Sequence, residues 1–137
     1  MRRCLAAVLV LFLAGSAAAQ SNGVFDSYQD LRGKLDQMML ERRVGDALFA
    51  FGGGDEYTPD QLRELDEKVA GIYPQNFTDV AMIRTGALQN GWRQELIGYW
   101  NDTSYIYAYL LLHEQPDRIV AVKFQFNSDF APLNGNF

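Results

Sequence analysis

Few side chains in this sequence are equipped for chemistry. His113 is the one histidine and Cys4 the one cysteine. An imidazole titrates near neutrality, so His113 is a candidate for proton transfer or ligand contact. One histidine and one cysteine do not assemble a tetrahedral zinc site of nitrogen and sulfur ligands. No metal and no other cofactor is expected. Gly52-Gly53-Gly54-Asp55-Glu56 is a glycine-rich acidic loop. It lacks the Lys-Ser or Lys-Thr of a phosphate loop and the alternating carboxylates of an EF-hand, and reads as a solvated turn. No serine sits in a nucleophile elbow. No catalytic residue is assigned.

The aromatics are the richer group. Tyr99, Trp100, Tyr105, Tyr107 and Tyr109 crowd around one predicted hairpin. Trp100, Tyr107 and Tyr109, with Gln94 and His113, are the candidate ligand-binding residues. Apolar surface with a few convergent polar groups is what a small-molecule site needs. The alternative is that these rings fill a small core, as aromatics in strands do. Arg84, Glu95 and Lys123 are expected to form a cross-strand charge cluster on the opposite face of the sheet.

Seventeen acidic residues face twelve Lys and Arg, for a formal net charge of −5. A chain this acidic lacks the electrostatic footprint of a nucleic-acid binder, and anionic lipid should repel it. Arg2 and Arg3, the apolar run Leu5 to Ala14, and Ala17-Ala18-Ala19 follow the plan of a secretory signal peptide. The run is shorter than the roughly 20 residues of a membrane span. The reading is a signal peptide over 1–19 and one domain over 20–137, exported to the periplasm or the medium. Cleavage would remove Cys4 and two positive charges. No disulfide or thiol chemistry would remain.

The elements that must position the candidates are legible from periodicity. Val24, Tyr28, Leu31, Leu35 and Met38 recur at helical steps, and the stripe drifts onward through Val44, Ala47 and Phe51. That drift implies a bend or a second short helix. Thr58, Pro59 and Gln61 supply an N-cap, a first-turn proline and a capping box for a further helix. From Asp79 the period becomes two. Four strands are predicted, Asp79 to Leu88, Trp92 to Trp100, Tyr105 to Glu114 and Arg118 to Asn127. Turns at Asn90-Gly91, Asn101-Asp102 and Pro116-Asp117 make them an antiparallel meander. Two-residue turn arithmetic pairs Gln89 with Trp92 and Tyr109 with Phe124. It collects Trp92, Leu96, Trp100, Tyr107, Tyr109, Leu111, Val120, Val122, Phe124 and Phe126 on one face. That face is expected to receive the helices. The face of Arg93, Glu95, Tyr99 and Lys123, with Ile97, Ala108 and Leu110, is expected to be wetter.

The fold class is therefore α+β, with N-terminal helices on one face of a four-stranded antiparallel meander. This order of elements resembles the cystatin-like superfold, and within it the nuclear-transport-factor-2-like group. The ending Phe124-Gln125-Phe126-Asn127-Ser128-Asp129-Phe130 resembles the close of small uncharacterised exported bacterial proteins. The resemblance implies helices cradled in a curved sheet around a cone-shaped pocket. A flatter helix-pair-on-sheet module, like some secreted protease or lactamase inhibitors, has the same order. The leading functional expectation is a non-catalytic binding protein for a small apolar molecule or a protein partner, with a homodimer among the partner options. The alternatives are a small isomerase or hydratase with a cone pocket, and an inhibitory or structural interaction module.

Overall fold

Ser27 starts the first helix by accepting a hydrogen bond from the Asp30 backbone N–H at 3.1 Å. In the computed structural model, which describes residues 23–137, that helix is α1, Tyr28–Leu40. The signal peptide read over 1–19 lies outside the described residues. Arg42, at φ 61°, turns the chain. The turn leads into α2, Val44–Ala50, the short second helix expected from the drifting stripe. A 3-10 turn at Gly53–Asp55 follows, then α3, Pro59–Ile72. Thr58 and Gln61 close the expected capping box at its start. Helices α2 and α3 meet at Gly45. A Cβ there would lie 2.8 Å from the Leu62 carbonyl oxygen, so only glycine allows the approach. No helix among the described residues is long and apolar enough to cross a membrane.

The sheet has five strands, not four. Val24–Phe25 forms β1, which pairs with Ile119 and Val120. Strands β2 (Asp79–Ala87), β3 (Trp92–Asn101), β4 (Ser104–Gln115) and β5 (Arg118–Asn127) follow the predicted spans closely. All pairs are antiparallel, in the order β1-β5-β4-β3-β2. A two-residue strand held only by pairing with a distant one leaves no periodicity to read. The short C-terminal helix α4, Phe130–Asn134, was likewise not predicted.

Four register details differ from the turn arithmetic. The first hairpin loop begins one residue early. Ala87 pairs Arg93, the Leu88 N–H donates to the Trp92 carbonyl at 3.0 Å, and Asn90 and Gly91 both take positive φ. A three-residue loop of this kind replaces the two-residue turn. The second turn is Asp102-Thr103, with Asn101 opposite Ser104. Pro116-Asp117 turns as expected, but a bulge then leaves Val122 unpaired, so Tyr109 faces Gln125 instead of Phe124. A second bulge leaves Ile83 out of the β2–β3 ladder.

The face assignment is inverted. Leu31, Leu35, Met39 and Val44 of the helices share one buried cluster with Ile97, Tyr99, Ile106, Ala108, Leu110, Leu112 and Ile119. These are the residues of the face expected to be wet. Each fully buried Leu or Ile contributes about 1.5–3 kcal/mol, so this interface is the main source of stability. Leu96 and Tyr109, on the other face, form a smaller cluster with Leu133 of α4, against which Phe137 packs. Both faces are apolar in β4, and both are covered in part.

Candidate functional site

Two groups of candidate side chains emerge, one on each face of the sheet. The first lies between α1 and β3. Tyr28, Arg32 and Asp36 recur every fourth residue and so form one stripe of α1. Arg93, Glu95 and Tyr99 alternate along β3 and share one face. The Tyr28 hydroxyl donates to the Glu95 carboxylate, 2.8 and 3.0 Å from its two oxygens, and accepts from Arg32 Nη1 at 2.9 Å. Arg32 reaches Asp36 at 3.2 Å. Asp36 Oδ1 accepts from the Tyr99 hydroxyl at 2.7 Å. The Arg93 guanidinium lies over the Tyr28 ring, 4.2 Å from its centroid. Glu95 is 4% exposed and Tyr99 fully buried. Burial, reinforced by Asp36, pushes the ionisation of Tyr99 far above its ordinary value. Burial and the Glu95 hydrogen bond push that of Tyr28 up as well.

This network has the ingredients of proton transfer, a buried carboxylate beside two tyrosines. It is also packed between helix and sheet, where Arg32 Nε and Arg93 Nε and Nη2 are buried and find no hydrogen-bond partner among the described residues. Both Glu95 oxygens are engaged by Tyr28. Leu31, Leu35, Met39, Ile97 and Leu110, none with exposed surface, fill the interface between helices and sheet. The open clefts lie elsewhere. One of about 580 Å³ lies between β1, α1 and α2, and another of about 640 Å³ runs along β5. Neither includes Glu95.

The second group contains all five predicted ligand residues, on the face that carries α4. The structure divides them into three places. Gln94 and Tyr109 hold the C-terminus. Gln94 Nε2 donates to the Tyr109 hydroxyl at 2.9 Å and to the Asn136 carbonyl at 2.8 Å. The Phe137 ring meets Tyr109 edge-on at 5.7 Å. His113 stacks on Trp92 at 4.4 Å, at the end of the β3–β4 ladder remote from Trp100. Trp100 and Tyr107 lie at that other end, with two rings the sequence did not single out as ligand contacts. Trp100, Tyr105, Tyr107 and Phe130 form a row with successive centroid separations of 6.2, 6.4 and 5.8 Å. Tyr105 and Tyr107 are within 7° of parallel. Tyr105 is 44% exposed and Phe130 38%.

The expected charge cluster of Arg84, Glu95 and Lys123 does not form. The Ile83 bulge places Arg84 opposite Leu96, where it donates to Asn134 at 2.7 Å and lies 4.4 Å over the Phe137 ring. Glu95 points to the helices, and Lys123 pairs with Leu111. No three His, Cys, Asp or Glu among the described residues lie together as a metal site would require.

Sequence reasoning missed Tyr28, Arg32, Asp36 and Glu95 as a unit. The available signal was the four-residue polar spacing on α1 facing the two-residue polar spacing on β3. Comparison with family models, with curated proteins and with solved structures finds no match for this chain.

Proposed function

We propose that this chain is an exported, non-catalytic binding protein that meets a polypeptide partner through the Trp100–Tyr105–Tyr107–Phe130 row. The observation that carries the reading is the exposure of Tyr105 and Phe130, with Trp100 and Tyr107 half-buried beside them in the same row. Two adjacent strands set their spacing, and α4 closes one end of the row. Tyr and Trp dominate binding energy at protein interfaces, because they offer large contact area with few rotatable bonds. The row is open, whereas a small-molecule site encloses most of its ligand.

Export rests on the signal peptide read in the sequence. The test is affinity capture from the exported protein fraction with the wild-type chain, with Tyr105→Ala, and with Phe49→Ala as a control on an unrelated exposed ring. The reading expects wild type and Phe49→Ala to hold the same partner. Tyr105→Ala should weaken it about tenfold, as loss of a central aromatic contact does. Equal retention by all three would overturn it.

A second reading, a small isomerase or hydratase, is supported by the buried Glu95–Tyr28 pair. Glu95→Gln separates the two. An enzyme of that kind loses turnover with this variant. A binding protein keeps its partner and loses only stability.

A further inference from the structure

The chemistry around the aromatic row points to the kind of partner it fits. Asp79 is the cross-strand neighbour of Trp100 and so lies on the same face. Asp102 sits in the turn that joins Trp100 to Tyr105, and Asp129 directly precedes Phe130. All three carboxylates are exposed. Among the described residues none of them is in an ion pair, although seven such pairs form elsewhere. No Lys or Arg occurs between Arg93 and Arg118, the stretch that supplies three of the four rings. The one cation of β2, Arg84, is held by Asn134 and Phe137. Electron-rich ring faces thus lie among unneutralised carboxylates. A Lys or Arg side chain satisfies both, Arg most often, and Trp is its best ring partner.

The neighbouring strand edge supplies the second half of the site. Among the described residues strand β2 ends the sheet, so the outer edge of its nine residues has no partner strand there. Val80, Met82 and Ile83 are 36–46% exposed along it. It carries no lysine or proline and, among the described residues, no covering helix; the bulge at Ile83 is the feature that interrupts it. An extended segment added to such an edge gains backbone hydrogen bonds, and every second side chain points to the same face. On β2 that face is the one shared by Asp79 and Trp100.

Building on the aromatic row as a contact surface, we propose that β2 and the row take an extended basic segment of a partner polypeptide. The segment pairs as a sixth strand, with its Arg or Lys side chains over Trp100 and Tyr105 and against Asp79 and Asp102.

Two synthetic peptides of about ten residues, near the length of β2, test this. Both carry Thr or Val at every second position, and the positions between, which would face Trp100, are Arg in one and Glu in the other. Titration into the Trp92→Phe chain leaves Trp100 as the one reporting tryptophan. The Arg peptide is expected to shift the Trp100 emission and to bind at least about tenfold more tightly than the Glu peptide. Its affinity should fall with salt, as exposed charge pairs are screened. Asp79→Asn with Asp102→Asn should bring the two peptides close to equal affinity.

Equal affinity of both peptides for the unmodified acidic site overturns the inference and leaves the aromatic row as a contact surface. No Trp100 response to either peptide overturns it too. In that case the proposed function stands only if partner capture remains sensitive to Tyr105→Ala. A dimer on sizing chromatography with protected β2 amides assigns the edge to a second copy and overturns the basic segment.

Discussion

The Tyr28 hydroxyl lies 2.8 and 3.0 Å from the two oxygens of Glu95, a carboxylate that is 4% exposed and 67 residues away in sequence. This bond ties α1 to the central part of β3. It also gives a buried charge the donor it needs, since an unpaired buried carboxylate is strongly destabilising. Tyr28→Phe should cost about 1–3 kcal/mol, the range for removing a hydrogen bond to a charged group. Urea unfolding measures it. Combined with Glu95→Gln in a double-mutant cycle, the pair should show coupling of about 0.5–3 kcal/mol. Additive effects would mean that the two groups do not share a bond in solution.

Tyr99 makes alkaline stability a readout of the same network. Its ionisation is raised from an ordinary value of 10.0 by burial first and by Asp36 second. A raised folded-state value gives a contribution that is complete below the unfolded value and lost as pH climbs above it, because only the unfolded chain releases the proton. Stability should therefore fall as pH rises past 10.0. Tyr28 and Tyr73, also raised chiefly by burial, act in the same direction. Tyr99→Phe should flatten that decline. It should also cost about 1–2 kcal/mol at neutral pH through the lost bond to Asp36. Unfolding curves at stepped pH, read by circular dichroism, check both.

Asp66 gives the same case in the acid range. It accepts from the Gly45 N–H at 2.7 Å across the α2–α3 contact, and burial holds its carboxyl above the ordinary value. The native state thus binds this proton more tightly than the unfolded chain. The associated stability is present at low pH and is lost as pH rises through the carboxylate range. Asp66→Asn keeps the acceptor and removes the buried charge. It should raise the thermal midpoint at pH 7, with the gain vanishing toward pH 3. A gain that persists unchanged at pH 3 would show that charge is not its origin.

Gln94 is assigned here to holding the C-terminal tail. Gln94→Ala removes two donors, to Tyr109 and to the Asn136 carbonyl. The expected loss is about 1–2 kcal/mol, with partner affinity unchanged. Calorimetric unfolding, set beside capture efficiency, separates this from a ligand contact, which would lower affinity and leave stability nearly intact.

Helices α1 to α3, the spans of β2 to β5 and the capping box at Thr58 were legible because each carries a local signal. Which face of the sheet receives the helices was not. Arg93 and Glu95 make that face look polar along β3, and the charged stripe of α1 that buries them is distant in sequence. The turn arithmetic grouped the β3 and β4 residues correctly by face. It failed on β5 beyond Val122, where a bulge carries Phe124 to the helix side, 5.3 Å from Phe51. Bulges of this kind leave no mark in alternation. The ligand candidates lie as a set on one face, but the segment from α4 to Phe137, which packs against Tyr109 and takes a hydrogen bond from Gln94 at Asn136, gave no periodic signal.

The central claim is that the rings at the Trp100 end of the sheet meet the partner. Hydrogen–deuterium exchange of the captured complex, compared with the free chain, tests it most directly. The account predicts new protection confined to β2 and to the Trp100–Tyr107 hairpin, with α1 and α2 unchanged. Protection at the α1–α2 cleft or along β5, with the hairpin exchanging as in the free chain, would contradict it.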